Sequence, residues 1–109
     1  MAARYVLSRS GTQYRFVLKA GNNEIILTSE LYASKQGALT GIASVKVNSP
    51  DDSRYERKNA ANGQPMFNLK AANGERIGTS ETYSSTQARE AGIQAVKNNG
   101  PTAPVDDLA

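Results

Sequence analysis

Residues 16–32 read FVLKAGNNEIILTSELY, and residues 67–83 read FNLKAANGERIGTSETY. The two stretches are identical at more than half of their positions. The correspondence extends without a gap from residues 13–50 to residues 64–101. Self-similarity at a fixed period is the sequence signature of a duplicated structural unit. The chain is therefore predicted to be a tandem duplication, with repeats over about 4–52 and 54–101.

Each repeat begins with segments that are typical of short β-strands. Tyr5 to Arg9 alternates in polarity, and the segments 14–20 and 65–71 are rich in β-branched and aromatic residues before a polar turn. A three-residue hairpin loop whose last residue is left-handed would pair Leu18 with Ile26. That pairing places Phe16, Leu18 and Ile26 on one buried face, which fixes the register of the hairpin.

Each repeat ends with a segment that has the pattern of an amphipathic helix. Ser34 and Ser85 are predicted N-caps. In the first repeat Ala38, Ile42 and Val45 follow helical spacing, and Asn-Ser-Pro ends the helix. The order β-β-β-α, twice, predicts an α+β fold in which a single antiparallel sheet is covered on one face by two helices. Residues 1–103 would form one domain, and residues 102–109, which contain Pro104, would form a flexible tail that does not pack.

The composition excludes several classes of site. The chain has 109 residues with no His, no Cys and no Trp, so it lacks the usual general base, the thiolate nucleophile and the two common zinc ligands. We expect no catalytic residues, no metal and no cofactor, and therefore a non-enzymatic protein. No apolar stretch approaches the ~20 residues that span a bilayer, and we expect a cytoplasmic location without membrane contact.

The doubled pattern Phe-x-Leu-Lys-Ala-x-Asn-x-Glu-x-Ile-x-Thr-Ser-Glu-x-Tyr, followed by Gly-Ile-x-x-Val-Lys-x-Asn, resembles the YegP-like family of small, uncharacterised bacterial proteins. The resemblance covers nearly the whole chain. It implies a single sheet built from two repeats, with possible exchange of strands between them. It also implies that this chain is a pseudo-dimer within one polypeptide, and hence a monomer. The family supplies no activity that could be carried over to particular residues.

The two repeats differ most in the outward-facing positions of the hairpin. Apolar residues in the first repeat correspond to Asn68, Arg76, Gly78 and Thr82 in the second. Such an apolar patch is typical of a docking surface for another protein, although the tail or an exchanged strand could equally cover it. The candidate partner face consists of Val17, Ile25, Leu27 and Leu31.

A second hypothesis is weak binding of nucleic acid or phosphorylated metabolites. The net charge is +3, and basic residues concentrate on the predicted strands, which favours salt-sensitive contacts to phosphate. Helix N-termini could add an anion site. The candidate contacts are Lys19, Lys70, Arg57, Lys58, Ser34 and Ser85.

The least favoured hypothesis is an acid-base enzyme that uses Glu30 and its repeat equivalent Glu81. Within one repeat, Glu24 and Glu30 would lie about 20 Å apart along an extended strand, which is too far to flank one bond. Only a pair formed between the two repeats could bring such carboxylates together.

Overall fold

The structure, a computed structural model, describes residues 2–109. Each repeat contributes three strands and one helix, and a short strand follows the second helix. The elements are β1 (Arg4–Ser10), β2 (Gln13–Lys19), β3 (Ile25–Ser29), α1 (Lys35–Asn48), β4 (Tyr55–Asn59), β5 (Pro65–Lys70), β6 (Arg76–Thr79), α2 (Thr86–Asn99) and β7 (Val105–Asp107). A single 3₁₀ turn, Asp52–Arg54, precedes β4. The predicted α+β fold with a duplicated unit is confirmed.

All seven strands form one sheet in the order β4-β5-β6-β3-β2-β1-β7. Each repeat is an uninterrupted three-stranded meander, and the two meanders join where β3 pairs with β6. Thr28 pairs with Thr79, its own equivalent in the second repeat, so a pseudo-twofold axis passes between them. The sheet is antiparallel except for β7, which runs parallel to β1, and the prediction of a wholly antiparallel sheet is wrong at that pair.

The C-terminal segment packs against the first strand, so the prediction of a flexible tail is wrong. The Tyr5 N–H donates to the Pro104 carbonyl at 2.8 Å, and the Leu108 N–H donates to the Leu7 carbonyl at 2.8 Å. Lys35 adds an ion pair to Asp107, with 2.7 Å between Nζ and Oδ2. The edge of β1 offers unpaired backbone groups. Three residues that follow a proline can therefore form a strand by hydrogen bonding to that edge. This strand belongs to the end of the second repeat and lies on the first, so one strand does cross between the repeats.

The hairpin between β2 and β3 contains a feature that alternation alone does not reveal. The loop has three residues as predicted, since the Ala20 N–H donates to the Glu24 carbonyl at 2.8 Å and Asn23 has a φ of 71°. The register then shifts by one residue, so that Leu18 pairs with Leu27 rather than with Ile26. Both Ile26 and Leu27 are consequently buried. The predicted pairing of Leu18 with Ile26 is wrong because a β-bulge places two consecutive side chains on the same face.

The core lies between the sheet and the two helices, and it repeats the same aromatic arrangement twice. In the first repeat the Tyr32 ring stacks on Phe16, with 6.2 Å between the ring centroids, and in the second the Tyr83 ring stacks on Phe67 at 6.3 Å. Each stacked tyrosine reaches the helix at a glycine, and a Cβ at Gly92 would overlap the Tyr83 hydroxyl. Glycine inside these helices is therefore required by the tyrosine that crosses it.

The repeats are tied together at the C-terminal ends of their helices. The Tyr5 hydroxyl donates to the Gly100 carbonyl at 2.6 Å, and the Tyr55 hydroxyl donates to the Ser49 carbonyl at 2.7 Å. Each tyrosine comes from one repeat and each carbonyl from the end of the other repeat's helix. Burial raises the pKa of both tyrosines well above the usual range, so the hydroxyls remain protonated donors.

Candidate functional site

The sheet has one face covered by α1 and α2 and one face without helices, which we call the open face. Side chains alternate between the two faces along a strand. The strand pairings align Val6, Val17, Thr28, Thr79, Asn68 and Glu56 in one row across the open face. The open face is therefore the largest sheet surface that a partner could reach.

Apolar and basic side chains of the first repeat lie together on the open face. Val17 is flanked along β2 by Arg15 and Lys19, and Val6 and Ile25 lie beside them on the neighbouring strands. Among residues 2–109, neither Arg15 nor Lys19 forms an ion pair with a carboxylate. We call this surface, formed by Val6, Arg15, Val17, Lys19 and Ile25, the first-repeat patch.

The equivalent positions of the second repeat are occupied by side chains that bind one another. The Asn68 amide donates to Glu56 at 2.9 Å, and the Thr79 hydroxyl donates to the Asn68 carbonyl oxygen. Lys70 lies 3.2 Å from Glu56, and both contacts lower the pKa of that carboxyl, the Asn68 hydrogen bond more than Lys70. These four residues of the second repeat thus bind one another on the open face, whereas the first-repeat patch has two cations without such partners among residues 2–109.

The four residues of the predicted partner face do not all lie on one surface of the structure. Val17 and Ile25 lie on the open face and are partly buried, and Leu31 lies beyond the end of β3 with 51% of its surface exposed. Leu27 is fully buried, and its predicted place on the outer face is wrong because the bulge turns it into the core.

The difference between Leu27 and its equivalent Gly78 has a packing cause. The two positions meet at the pseudo-twofold axis, where a Cβ added to Gly78 would lie 2.9 Å from Leu27 Cγ. Two leucines do not fit there, so one large and one minimal residue share the space. The difference between Leu27 and Gly78 therefore serves the packing of one repeat's core against the other, and it does not indicate a docking surface.

Half of the predicted anion contacts have their side chains on the open face. Lys19, Lys58 and Lys70 share that face by strand alternation. Arg57 lies on the other face, where its guanidinium is 2.9 Å from both Asp52 and Glu90. Those carboxylates raise its pKa, with Asp52 having the larger effect. Arg57 is therefore held by its own chain.

The two serines among the predicted anion contacts cap the helices. The Ser34 hydroxyl accepts from the Gly37 N–H at 3.0 Å, and the Ser85 hydroxyl accepts from the Ala88 N–H at 3.0 Å. Their prediction as N-caps is confirmed. Another serine pair, Ser29 and Ser80, is also structural, because each hydroxyl accepts from the N–H of the phenylalanine on the neighbouring strand at 2.9 Å.

The open face carries no aromatic side chain that could stack on a base. Among residues 2–109, every Tyr and Phe is buried in the core or packs against it: Tyr5, Tyr14, Phe16, Tyr32, Tyr55, Phe67 and Tyr83. Proteins that bind single-stranded nucleic acid combine a basic groove with such stacking platforms. Contacts of this face to nucleic acid would thus be limited to the phosphates.

Two equivalent grooves flank the pseudo-twofold axis, each between the helix of one repeat and the hairpin of the other. The Tyr32 groove has a volume of 380 Å³ and is lined by Glu30, Tyr32, Gly41, Glu75, Arg76 and Ile77 among others. The Tyr83 groove has a volume of 370 Å³ and its lining includes Glu81, Tyr83, Gly92, Glu24, Ile25 and Ile26. Glu30 and Glu81 lie in different grooves, so the structure does not bring them together as a catalytic pair.

The electrostatic environment differs between the two grooves. Burial, and then the Glu30 carboxylate, raise the pKa of Tyr32. Burial, followed by Glu81 and then Glu24, raise the pKa of Tyr83. Two carboxylates from different repeats thus act on Tyr83 in its groove.

Two properties of residues 2–109 bear on the nature of the site. No group of three or more Asp, Glu, His or Cys side chains is placed to hold a metal ion. No helix has the length and apolar character needed to cross a bilayer.

Comparison with known proteins gives matches along nearly the whole chain. The model of a domain of unknown function, DUF1508, matches twice, at residues 10–56 and 60–107. A UPF0339 protein of Acinetobacter baylyi is 62% identical over 109 residues, covering 99% of this chain and 98% of the relative. YegP of Escherichia coli K12 is 57% identical, and the alignment covers 98% of each chain.

Two structures solved by NMR have the same architecture. The UPF0339 protein of Shewanella oneidensis superposes with a TM-score of 0.92 at 56% identity, covering 99% of this chain and 92% of that one. The structure of Escherichia coli YegP, described as a protein of unknown function, gives a TM-score of 0.92 at 57% identity and covers 99% of this chain and 94% of that one.

Proposed function

The chain belongs to the YegP-like family of UPF0339 proteins, and we propose that it is a non-enzymatic, cytoplasmic interaction module whose first-repeat patch docks on an acidic surface of a partner protein. The proposal concerns this chain's own surface, because the similar proteins have no assigned activity. The absence of Cys agrees with a reducing compartment.

One observation carries the proposal: among residues 2–109, only the first repeat has cations without a carboxylate partner on both sides of an apolar side chain of the open face. Arg15 and Lys19 flank Val17 without a carboxylate partner, whereas Lys70, the equivalent of Lys19, is held by Glu56. Apolar side chains bordered by cations suit a partner that offers apolar contact and carboxylates, because complementary charges guide the encounter and apolar burial holds the complex.

The chemistry of the chain supports a binding role over a catalytic one. It has no His or Cys, and Glu30 is neutralised by Arg76 at 3.1 Å. A general acid or base needs a pKa near the working pH and a partner group within reach. Several repeated polar residues instead have structural contacts: Ser34 and Ser85 cap the helices, and Ser29 and Ser80 accept from backbone N–H groups of the sheet.

A second candidate function, weak binding of nucleic acid, is favoured by the three lysines on the open face. Lys19, Lys58 and Lys70 could each contact a phosphate, but they lie on three different strands, and without stacking aromatics the affinity would come almost wholly from counterion release. The affinity of such binding would fall steeply with added salt. It would also depend on lysines of both repeats, whereas docking would depend on the first repeat alone.

Charge reversal at Lys19 tests the proposal, with the same change at Lys58 as a matched control. Both lysines lie on the open face, and among residues 2–109 neither forms an ion pair. We expect Lys19→Glu to weaken capture of an acidic partner from a bacterial extract by about tenfold or more, since it replaces attraction by repulsion. Lys58→Glu should leave capture unchanged.

A titration with a single-stranded oligonucleotide distinguishes the two candidate functions. Equal losses of oligonucleotide affinity in both variants, together with unchanged protein capture, would favour phosphate binding. Capture that persists in Lys19→Glu at wild-type strength would overturn docking by the first-repeat patch.

A further inference from the structure

The two grooves at the pseudo-twofold axis differ in one position that decides their charge. In the Tyr32 groove, Arg76 places a guanidinium nitrogen 3.1 Å from a Glu30 oxygen. The equivalent residue in the Tyr83 groove is Ile25. One groove therefore contains its own cation and the other does not.

The carboxylates of the Tyr83 groove have no cationic partner in the part of the chain that the structure describes. Among residues 2–109, neither Glu24 nor Glu81 forms an ion pair. Both act on the same partly buried ring, because each raises the pKa of Tyr83 after the larger effect of burial. The groove thus concentrates negative potential beside a low-dielectric wall, where an added cation is attracted most strongly.

The wall of the Tyr83 groove is also the more apolar of the two. Along α2 it presents Ala88, Ala91 and Ala95, where α1 presents Gly37, Thr40 and Ser44 to the Tyr32 groove. Methylene groups of a long side chain can be buried along such a wall while a charged end reaches the carboxylates. The lining therefore suits a long cationic side chain better than a small inorganic ion.

We propose that the Tyr83 groove binds an arginine side chain of a partner peptide, with the guanidinium against Glu81 and the aliphatic stem along the alanines of α2. Arg76 performs this contact within the chain in the equivalent groove, which identifies guanidinium as the group that the geometry accepts. A planar guanidinium also pairs with a carboxylate through two parallel hydrogen bonds, which an ammonium group does not. This site shares Ile25 with the first-repeat patch and is otherwise separate from it, and it does not rest on the proposed docking function.

A titration of the isotope-labelled full chain with the peptide acetyl-Ala-Arg-Ala-amide, followed by NMR, tests the proposal. We expect saturable shifts of the backbone amides at Glu81, Tyr83 and Gly92 at millimolar peptide. The matched lysine peptide should bind several-fold more weakly, and methylguanidinium alone should shift the same amides with lower affinity, because it lacks the aliphatic stem.

Two exchanges between the repeats sharpen the test, and each introduces a residue that the equivalent position already accommodates. Ile25→Arg should supply an internal guanidinium and abolish the peptide-induced shifts. Arg76→Ile should free Glu30 and create a second set of shifts around Tyr32. Glu81→Gln should weaken binding by about tenfold, whereas Glu75→Gln in the other groove should leave it unchanged.

Several results would overturn the proposal. The first is the absence of peptide-induced shifts in the wild-type chain. The second is equal affinity for the arginine and lysine peptides, and the third is unchanged shifts in both Ile25→Arg and Glu81→Gln. Dispersed amide spectra of each variant serve as the control for folding. Because Lys19→Glu leaves this groove intact, loss of docking by the first-repeat patch and loss of arginine binding are separable outcomes.

Discussion

At the scale of single residues, the pseudo-twofold axis is where the duplicated sequence had to become unequal. Leu27 fills the space beside the axis, and Gly78 leaves that space free. In the sequence, Gly78 looks like the loss of an apolar side chain from the second repeat. In the folded chain, Gly78 and Leu27 are complementary in size. Thr28 and Thr79, which pair at the axis, are identical, so at the axis the repeats differ where two equivalent side chains would occupy the same space in the core.

The leucine-glycine pair predicts strong coupling between two substitutions. Gly78→Leu should destabilise the fold by about 1–3 kcal/mol through overpacking, and Leu27→Gly by about 3 kcal/mol or more through a cavity and lost burial. The double exchange should cost much less than the two single losses added, because it restores one large and one small residue. Urea unfolding of the four proteins gives the coupling free energy, and simple additivity would contradict the packing explanation.

At the scale of elements, β7 shows how a very short segment completes a sheet. It covers the outer edge of β1 by parallel pairing and places Asp107 against Lys35 at the start of α1. In isolation three residues would not form a strand, so its structure depends on the edge that it covers.

Truncation after Pro104 tests the role of β7. We expect the free energy of unfolding to fall by about 1–2 kcal/mol, since the backbone hydrogen bonds to β1 beyond Pro104 are lost. The bare edge of β1 should also promote self-association, which size-exclusion chromatography would detect. Lys35→Gln, which removes the ion pair but keeps the strand, should remain monomeric; a truncated chain that is equally stable and equally monomeric would show that β7 has no such role.

Sequence patterns predicted the elements that depend on local chemistry and missed those that depend on cross-strand partners. Ser34 and Ser85 are recognisable caps because the capping interaction lies within four residues. The bulge after Leu18 was not recognisable, because it depends on how β3 meets both β2 and β6. Likewise, the grooves combine Glu24 with Glu81, and only the fold brings these two residues together.

At the scale of the whole molecule, neither repeat has a complete core of its own. Each helix packs on both meanders: α1 contacts β2 of its own repeat and β5 and β6 of the other, and α2 contacts β5 of its own repeat and β3 of the other. The tyrosines near the start of each repeat bind the end of the opposite helix. A single repeat is also near the size at which an independent core becomes marginal. The pseudo-dimer within one chain supports the proposal that the protein acts as a monomer.

If the two repeats are produced as separate fragments, each fragment should bind the other more tightly than it binds a second copy of itself. A dimer of fragment 1–53 would place two copies of Leu27 at the axis, and a dimer of fragment 54–109 would leave a void between two copies of Gly78. We expect each fragment alone to be largely unfolded and an equimolar mixture to recover the native circular dichroism spectrum. Stable homodimers of the first fragment would contradict this expectation.

The position of β7 at one end of the sheet also limits how copies of the protein can associate. Within residues 2–109, β1 is covered by β7, and the free side of β4 is the longer edge that remains. Pairing of two copies through β4 would use that edge in both of them and leave only the three-residue β7 at each outer end. Assembly along the sheet direction should therefore stop at two copies, because a dimer has no long free edge to which a third copy could add. This limit, together with the net positive charge of each copy, opposes the growth of fibres.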